Sequence, residues 1–427
     1  MEFFDYKLGD CLSMIENGAT IKQKEGAAGY PITRIETLSN DRFNRDRLGY
    51  ADIENLAEYS NHILENEDLI MSHINSRPFL GRTVIYLKRA DEKIIHGMNV
   101  LRIKTKRDKL NPFYAYYYFK TPHFRKAIDN IRTDAINQSS INTNNIKDIK
   151  IHIPEITKQE EIVNILRGID KKIEKNEEIN SELEAMAKQL YDYWFVQFNF
   201  PDENGKPYKS SGGKMVYNST LKREIPAGWE VNNLNQLAES YRGVTYNKED
   251  LVSESNDSIL VLRGNNIPCS GQFAYDSNVA FIPKRMVSKE QMINKGDIII
   301  TMSSGSKEHI GKCFMFQNDS DHTYGAFLSK FVPHEEYRYF VYLSMLSDFF
   351  KVFVKVTCNG TGINNLTNDT FNNVNFPIPD DRLLMEFETI VESLYNKVGL
   401  CQKEIVDLSN HRDSLLPMLM NGQVTVE

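Results

Sequence analysis

After Ile153-Pro154, and again after Ile378-Pro379, the apolar positions change from strand-like alternation to a helical period. In the first stretch Ile162, Leu166, Ile169, Ile173, Asn176, Asn180, Leu183, Ala187 and Leu190 follow at alternating steps of four and three. In the second, Phe387, Val391, Leu394, Val398, Cys401, Ile405, Leu408, Arg412 and Leu415 do the same. This is the a/d seam of a coiled coil. Two seams of matched length in one chain can bury each other, and the long segment between them allows an antiparallel pairing. The competing explanation is two core helices, each packed on its own domain. Asn176 and Asn180 spoil a dry seam but can fix its register, and Arg412 is a further irregularity. Thr157 and Glu160 have capping-box spacing, which places the first helix start there.

The stretches ahead of the two helices repeat each other in order. Tyr6-Lys7-Leu8 is echoed by Trp229-Glu230-Val231, and Asn66 to Ile70 followed by Leu80-Gly81-Arg82 by Lys295 to Ile299 followed by Ile310-Gly311-Lys312. Phe113 to Tyr117 answers Tyr339 to Leu343, with Arg125 matching Lys351, and Ile141-Asn142 answers Ile363-Asn364. The chain is thus built twice: globular domain, long helix, globular domain, long helix. Between the halves, Phe200 to Lys214 is rich in Pro, Gly, Ser and Asn and reads as an irregular connector. The expected division is 1-155, first domain; 156-197, first helix; 198-225, connector; 226-377, second domain; 378-427, second helix. At 427 residues there is room for a core in each domain. The fold class is α+β, with two mixed α/β domains in a pseudo-two-fold arrangement joined by two antiparallel helices forming an intramolecular coiled coil.

Charge changes the picture because it is unevenly spread. The net charge is −7, yet residues 1 to 150 carry +3, 151 to 200 carry −4, 201 to 376 carry −1 and 377 to 427 carry −5. Within the first domain, residues 77 to 126 hold 13 basic side chains against Asp91, Glu92 and Asp108, a local net of +10. Such a band is the electrostatic signature of a polyanion partner. Arg77, Arg82, Lys88, Arg89, Arg102, Lys104, Lys106 and Arg107 are the candidate DNA contacts there, and Lys284, Arg285, Lys295, Lys307 and Lys312 form a sparser set in the second domain. A solvated surface face is the alternative for each of them.

Catalytic signatures are missing. The chain has no G-x-x-x-x-G-K-[ST] loop, and its histidines and five scattered cysteines lack metal-ligand spacing. Asn111-Pro112-Phe113-Tyr114 resembles the N-P-P-[YF] loop of adenine methyltransferases, but the second proline is lacking. Asn111 as helix N-cap and Pro112 at the first helical position explain it more simply. The Tyr114, Tyr116, Tyr117 and Phe119 cluster could in principle stack on bases, although a structural role is the simpler reading. Pro201-Asp202-Glu203 with Lys206 falls in the connector rather than on nuclease strands, and Asn359-Gly360-Thr361-Gly362 reads as a turn. There is no basic, apolar leader at the N-terminus and no span-length apolar run, so a cytoplasmic protein with no membrane association is expected, its cysteines reduced.

The run IDKKIEKNEEINSELEAMAKQLYDYWF, the connector FPDENGKPYKSSGGKMVYN and the following REIPAGWEV resemble the central region of the specificity subunit of type I restriction-modification systems. Pro31 to Glu36 and Gly49 to Ile53 resemble the opening of that family's first recognition domain. The resemblance implies a non-catalytic subunit of a restriction and adenine-N6 methyltransferase complex, in which each globular domain reads one half of a split target in double-stranded DNA. The paired helices would act as a ruler and dock two modification subunits, with restriction/translocase subunits joining that core. S-adenosylmethionine, ATP and Mg would be held by the partner subunits, and no cofactor by this chain. A fixed, unread spacer is therefore expected between the half-sites. Other readings are the recognition subunit of a related fused nuclease-methylase system, a methyltransferase in its own right, and a non-enzymatic coiled-coil adaptor.

Overall fold

A computed structural model describes residues 2–24, 29–39, 41–135, 138–267, 279–305, 309–358 and 364–424. It divides into two units: residues 1–172 with 407–427, and residues 173–406. Lys307, Cys269, Ile363 and the Asn359 to Gly362 turn lie outside the described residues.

In the first unit, β1 (Phe3–Lys7) pairs antiparallel with a strand at Lys150–Pro154. Four further strands, β2 (Leu12–Asn17), β3 (Asp68–Ser72), β4 (Thr83–Tyr86) and β5 (Val100–Thr105), form an antiparallel sheet in the order β4-β3-β5-β2. All five residues of β3 are buried, which accounts for the nearly unbroken apolar run Leu69-Ile70-Met71. Two short helices, α1 (Pro112–Tyr118) and α2 (Pro122–Ile131), pack into the same core as this sheet. Asn111 caps α1, its Oδ1 accepting the amides of Phe113 and Tyr114 at 2.9 and 3.3 Å, with Pro112 at the first position. Tyr114, Tyr116, Tyr117 and Phe119 are all buried, so they are core and offer no face to a base.

After the strand at Lys150–Pro154, here β6, comes the long helix α3 (Ile156–Tyr191). It starts before Thr157, so the expected cap residue lies inside it. Gln159, fully buried, does the tying instead: it accepts the Asn111 amide at 3.0 Å and donates to the carbonyls of Lys109 and Pro154 at 2.9 and 2.8 Å.

The second unit repeats this plan. β7 (Glu230–Asn233) pairs with a strand at Asn375–Ile378 as β1 does with β6. The strands β8 (Ala238–Arg242), β9 (Ile298–Thr301), β10 (Cys313–Met315) and β11 (Leu328–Pro333) form an antiparallel sheet in the order β10-β9-β11-β8, the same order as in the first unit. The helices α4 (Arg338–Leu346) and α5 (Asp348–Thr357) stand where α1 and α2 do. Gly81 and Gly311 both adopt a left-handed φ, +73° and +76°, where a Cβ would press on Ile128 of α2 and Val354 of α5. Counting the strand at Asn375–Ile378 as β12, the chain continues into α6 (Asp381–Met420), capped by Asp380, whose Oδ1 accepts the Leu383 amide at 3.0 Å.

The two long helices pair antiparallel within each unit. In the first, Ile162 and Leu166 share a core with Leu416, Leu419 and Met420, and Arg412 meets Asp170 at 2.9 Å. In the second, Tyr191 and Trp194 pack on Phe387. Between Phe200 and Lys214 the connector holds turns and one short 3-10 turn at Lys209–Ser211. Its Phe200 stacks on Tyr208 and Trp229 with centroids at 4.7 and 5.1 Å, and Met215–Asn218 pairs with Arg223–Pro226 as a hairpin. Phe198, Phe200 and Ile225 join the second unit's core and so anchor an otherwise largely exposed segment. Asp202 closes a turn by accepting the amides of Asn204 and Lys206, both at 2.8 Å.

Candidate nucleic-acid interface

The basic band of the first unit divides into groups, most of them balanced by acids from elsewhere in the fold. Arg102 is the clearest correction: its side chain is 2% exposed, donating from Nε to Asp68 at 2.6 Å and from its terminal nitrogens to the Asn61 carbonyl and Glu65. It is a structural ion pair and cannot reach a base. Lys104 pairs with the same Glu65 at 2.8 Å. That ion pair and the nearby Arg102 hold the Glu65 carboxyl below its ordinary value. Arg107 pairs with Glu67 at 2.6 Å, and Lys106 donates to the Asp10 carbonyl.

Arg82 and Lys120 share Asp41, at 3.7 and 3.6 Å, and the Arg82 guanidinium lies over the Phe79 ring. Arg77 is exposed and shares Asp129 with Arg132, at 3.7 and 2.6 Å. Lys88 and Arg89 differ from the rest. Both are exposed on the turn after β4, whose backbone is fixed by Asn66 accepting the Lys88 amide and Glu92 accepting the Arg89 amide. Glu92 is itself held by Arg45, which with the turn amide and Tyr86 keeps its carboxyl down to about 2. The turn's backbone is thus tied down by side-chain acceptors while its two cations are exposed.

In the second unit, Lys284 and Arg285 are exposed on a short 3-10 turn. Lys295 donates to Asn396 of α6 at 3.2 Å and Lys312 lies against His309 at 2.8 Å, so both are engaged within the unit. Reading the sequence for charge alone misses Lys330, the counterpart of Arg102: it is buried and meets Asp297 at 3.0 Å. Its position in the repeat is the signal that could have found it.

The seam residues all turn inward or sit at the edge of the helix pairing. Ile162, Leu166, Ile173, Asn176, Asn180, Ala187, Phe387, Val391, Val398 and Cys401 are buried. Ile169, Leu183, Leu190, Leu394, Ile405, Leu408, Arg412 and Leu415 are partly so. Arg412 is accommodated by Asp170, which also accepts from the Tyr117 hydroxyl. Asn180 has no such help: neither its Oδ1 nor its Nδ2 has a partner. Among the described residues no cluster of three or more His, Cys, Asp or Glu side chains could hold a metal ion, and no helix is long and apolar enough to cross a membrane.

The same doubled pattern appears in proteins of known class. The family model of the type I restriction modification DNA specificity domain matches residues 2–185 and again 226–407. The type I restriction enzyme HindI specificity subunit of Haemophilus influenzae is 21% identical over 98% of this chain and 99% of its own length. The MjaX specificity-subunit relative from Methanocaldococcus jannaschii is 33% identical over 57% of this chain, a match spanning only 56% of that relative. The crystal structure of the type I restriction-modification S subunit from M. genitalium shares the fold, with a TM-score of 0.51 at 15% identity over 98% of this chain and 96% of that one. With two matched domains, each carrying the same sheet order and its own stretch of the long helices, the chain belongs to the type I restriction modification DNA specificity family.

Proposed function

We propose that this chain is the non-catalytic recognition subunit of a type I restriction-modification complex, each unit reading one half of a bipartite target in double-stranded DNA. The observation that carries this is the duplication itself: two units of one topology, joined by helices that run from one into the other, suit two separate half-sites. The exposed faces differ between the units, so the half-sites differ in sequence. The long helices α3 and α6 fix the length of the unread spacer and offer a docking surface to two modification subunits, which restriction/translocase subunits join. S-adenosylmethionine, ATP and Mg belong to those partners. The buried thiols of Cys11, Cys313, Cys358 and Cys401 suit a reducing cytoplasm.

The test is selection from a randomised duplex library by the chain assembled with type I modification subunits. Two short specified segments at one fixed separation are expected. A single continuous site, or tolerance of spacer changes, overturns the reading.

A further inference from the structure

Each unit holds one exposed loop tip in an identical backbone clamp, and the two tips carry different side chains. In the first unit the tip is Met98-Asn99, ahead of β5; in the second it is Ala326-Phe327, ahead of β11. The Ala19 amide donates to the His96 carbonyl at 2.8 Å, and the Val244 amide to the Tyr324 carbonyl at 2.8 Å. In return the Met98 amide donates to Ala19 and the Ala326 amide to Val244, at 3.2 and 3.0 Å. Each tip is closed by a turn, from Val100 to Gly97 and from Leu328 to Gly325. The crossings are so close that a Cβ on Gly18 would sit 2.3 Å from the Gly97 carbonyl oxygen, and one on Gly243 would sit 2.2 Å from that of Gly325.

What the clamp presents is exposed. Met98 is 47% exposed and Phe327 69%, and Asn99 is exposed as well. Phe327 is fixed further, its carbonyl accepting the amides of Met302 and Ser303 at 2.9 and 3.2 Å. A phenylalanine left 69% exposed on a hydrogen-bonded backbone is not part of its own unit's core. Nor does the fold require it, since asparagine occupies the same place in the first unit. Where a duplicated backbone clamp is preserved and the exposed tip it holds diverges, the tip is suited to distinguish two ligands of one class.

We infer that these tips are specificity-determining contacts for the two half-sites, an inference that rests on the DNA-recognition reading above. An asparagine amide pairs with the N6 and N7 edge of adenine in the major groove, whereas an aromatic ring packs on the thymine C5-methyl group. The first unit's tip therefore selects adenine and the second unit's selects thymine, each at one position of its half-site.

Library selection with the assembled complex tests this with three chains: wild type, Asn99→Ala and Phe327→Ala. Asn99→Ala should lose the adenine preference in one half-site, and Phe327→Ala the thymine preference in the other. Each should bind the wild-type target about tenfold or more weakly and leave the opposite half-site unchanged. Both side chains are exposed, so the thermal midpoints should match wild type, which separates a missing base interaction from unfolding. Unchanged preferences in both variants, with the wild type still selecting a bipartite site, overturn the tip assignment alone. A wild-type complex that enriches no sequence overturns the DNA-recognition reading and the assignment with it.

Discussion

Arg102 Nε donates to Asp68 at 2.6 Å with both side chains 2% exposed, and Lys330 meets Asp297 at 3.0 Å in the corresponding place of the second unit. In each case the aspartate also closes the turn ahead of its strand, accepting the Glu65 amide at 2.7 Å or the Asn294 amide at 2.8 Å. Removing one partner of a buried pair strands the other charge, at a cost of about 3–5 kcal/mol, while replacing both by apolar residues is often nearly neutral. Asp68→Asn should therefore destabilise the first unit by about that amount, and Arg102→Met with Asp68→Leu by clearly less. Denaturant unfolding of the three chains checks this. Equal losses in the single and double variants would mean that leaving Arg102 without its partner is not what costs the stability.

This pair also shows what is legible in the sequence. The helical seams and the Asn111 cap follow from periodicity and local chemistry, and the duplication from matching one half of the chain against the other. A charge count along residues 77 to 126 misplaces Arg102 because it cannot see Asp68 or Glu65, which neutralise it through the sheet. The repeat holds the correction, since Asp68 and Arg102 both recur, as Asp297 and Lys330. A buried charge that keeps both its place and its partner in the two copies is structural. The connector's loop-like composition is legible, whereas the anchoring of Phe198 and Phe200 is not, because the core that receives them is assembled from segments distant in the sequence.

Asn180 sits on the helix seam 1% exposed, with neither amide atom partnered. An unsatisfied buried polar group costs about 1–3 kcal/mol. Asn180→Leu should stabilise the second unit by a comparable amount, measured as a raised denaturation midpoint with an unchanged slope. A lower midpoint would show that the amide is satisfied in solution, for example by a trapped water.

The two units should respond to pH in opposite directions. Burial pushes the Glu184 carboxyl of the second unit up to about 7, from 4.5. A folded value above the unfolded one means that its contribution is complete below about 4.5 and is lost as the pH rises through 7. Burial holds His96 of the first unit down to about 4, from 6.5. Its contribution is complete above 6.5 and is lost as the pH falls towards 4. Glu184→Gln should flatten the alkaline decline by at most about 3 kcal/mol, with Glu388, also raised to about 7 by burial, carrying the remainder. Unfolding curves between pH 4 and 9 would decide it, and an alkaline limb identical in the variant would exclude Glu184 as its source.

Lys88 and Arg89 are the candidate phosphate contacts that the fold leaves most available, because their turn is held by Asn66 and Glu92 through the backbone alone. Other members of the band spend their charge on Asp41, Glu65, Glu67 or Asp129. Each phosphate that the protein no longer neutralises should lower the dependence of log affinity on log salt by about 0.9. Lys88→Glu with Arg89→Glu should then weaken binding across all sequences and reduce the salt slope by up to about 2, with base preference unchanged. Arg107→Glu, whose cation is already matched by Glu67, should change the slope less. Titrating the assembled complex onto one duplex at several salt concentrations separates the two, and an equal slope in wild type and the Lys88/Arg89 variant would remove the turn from the interface.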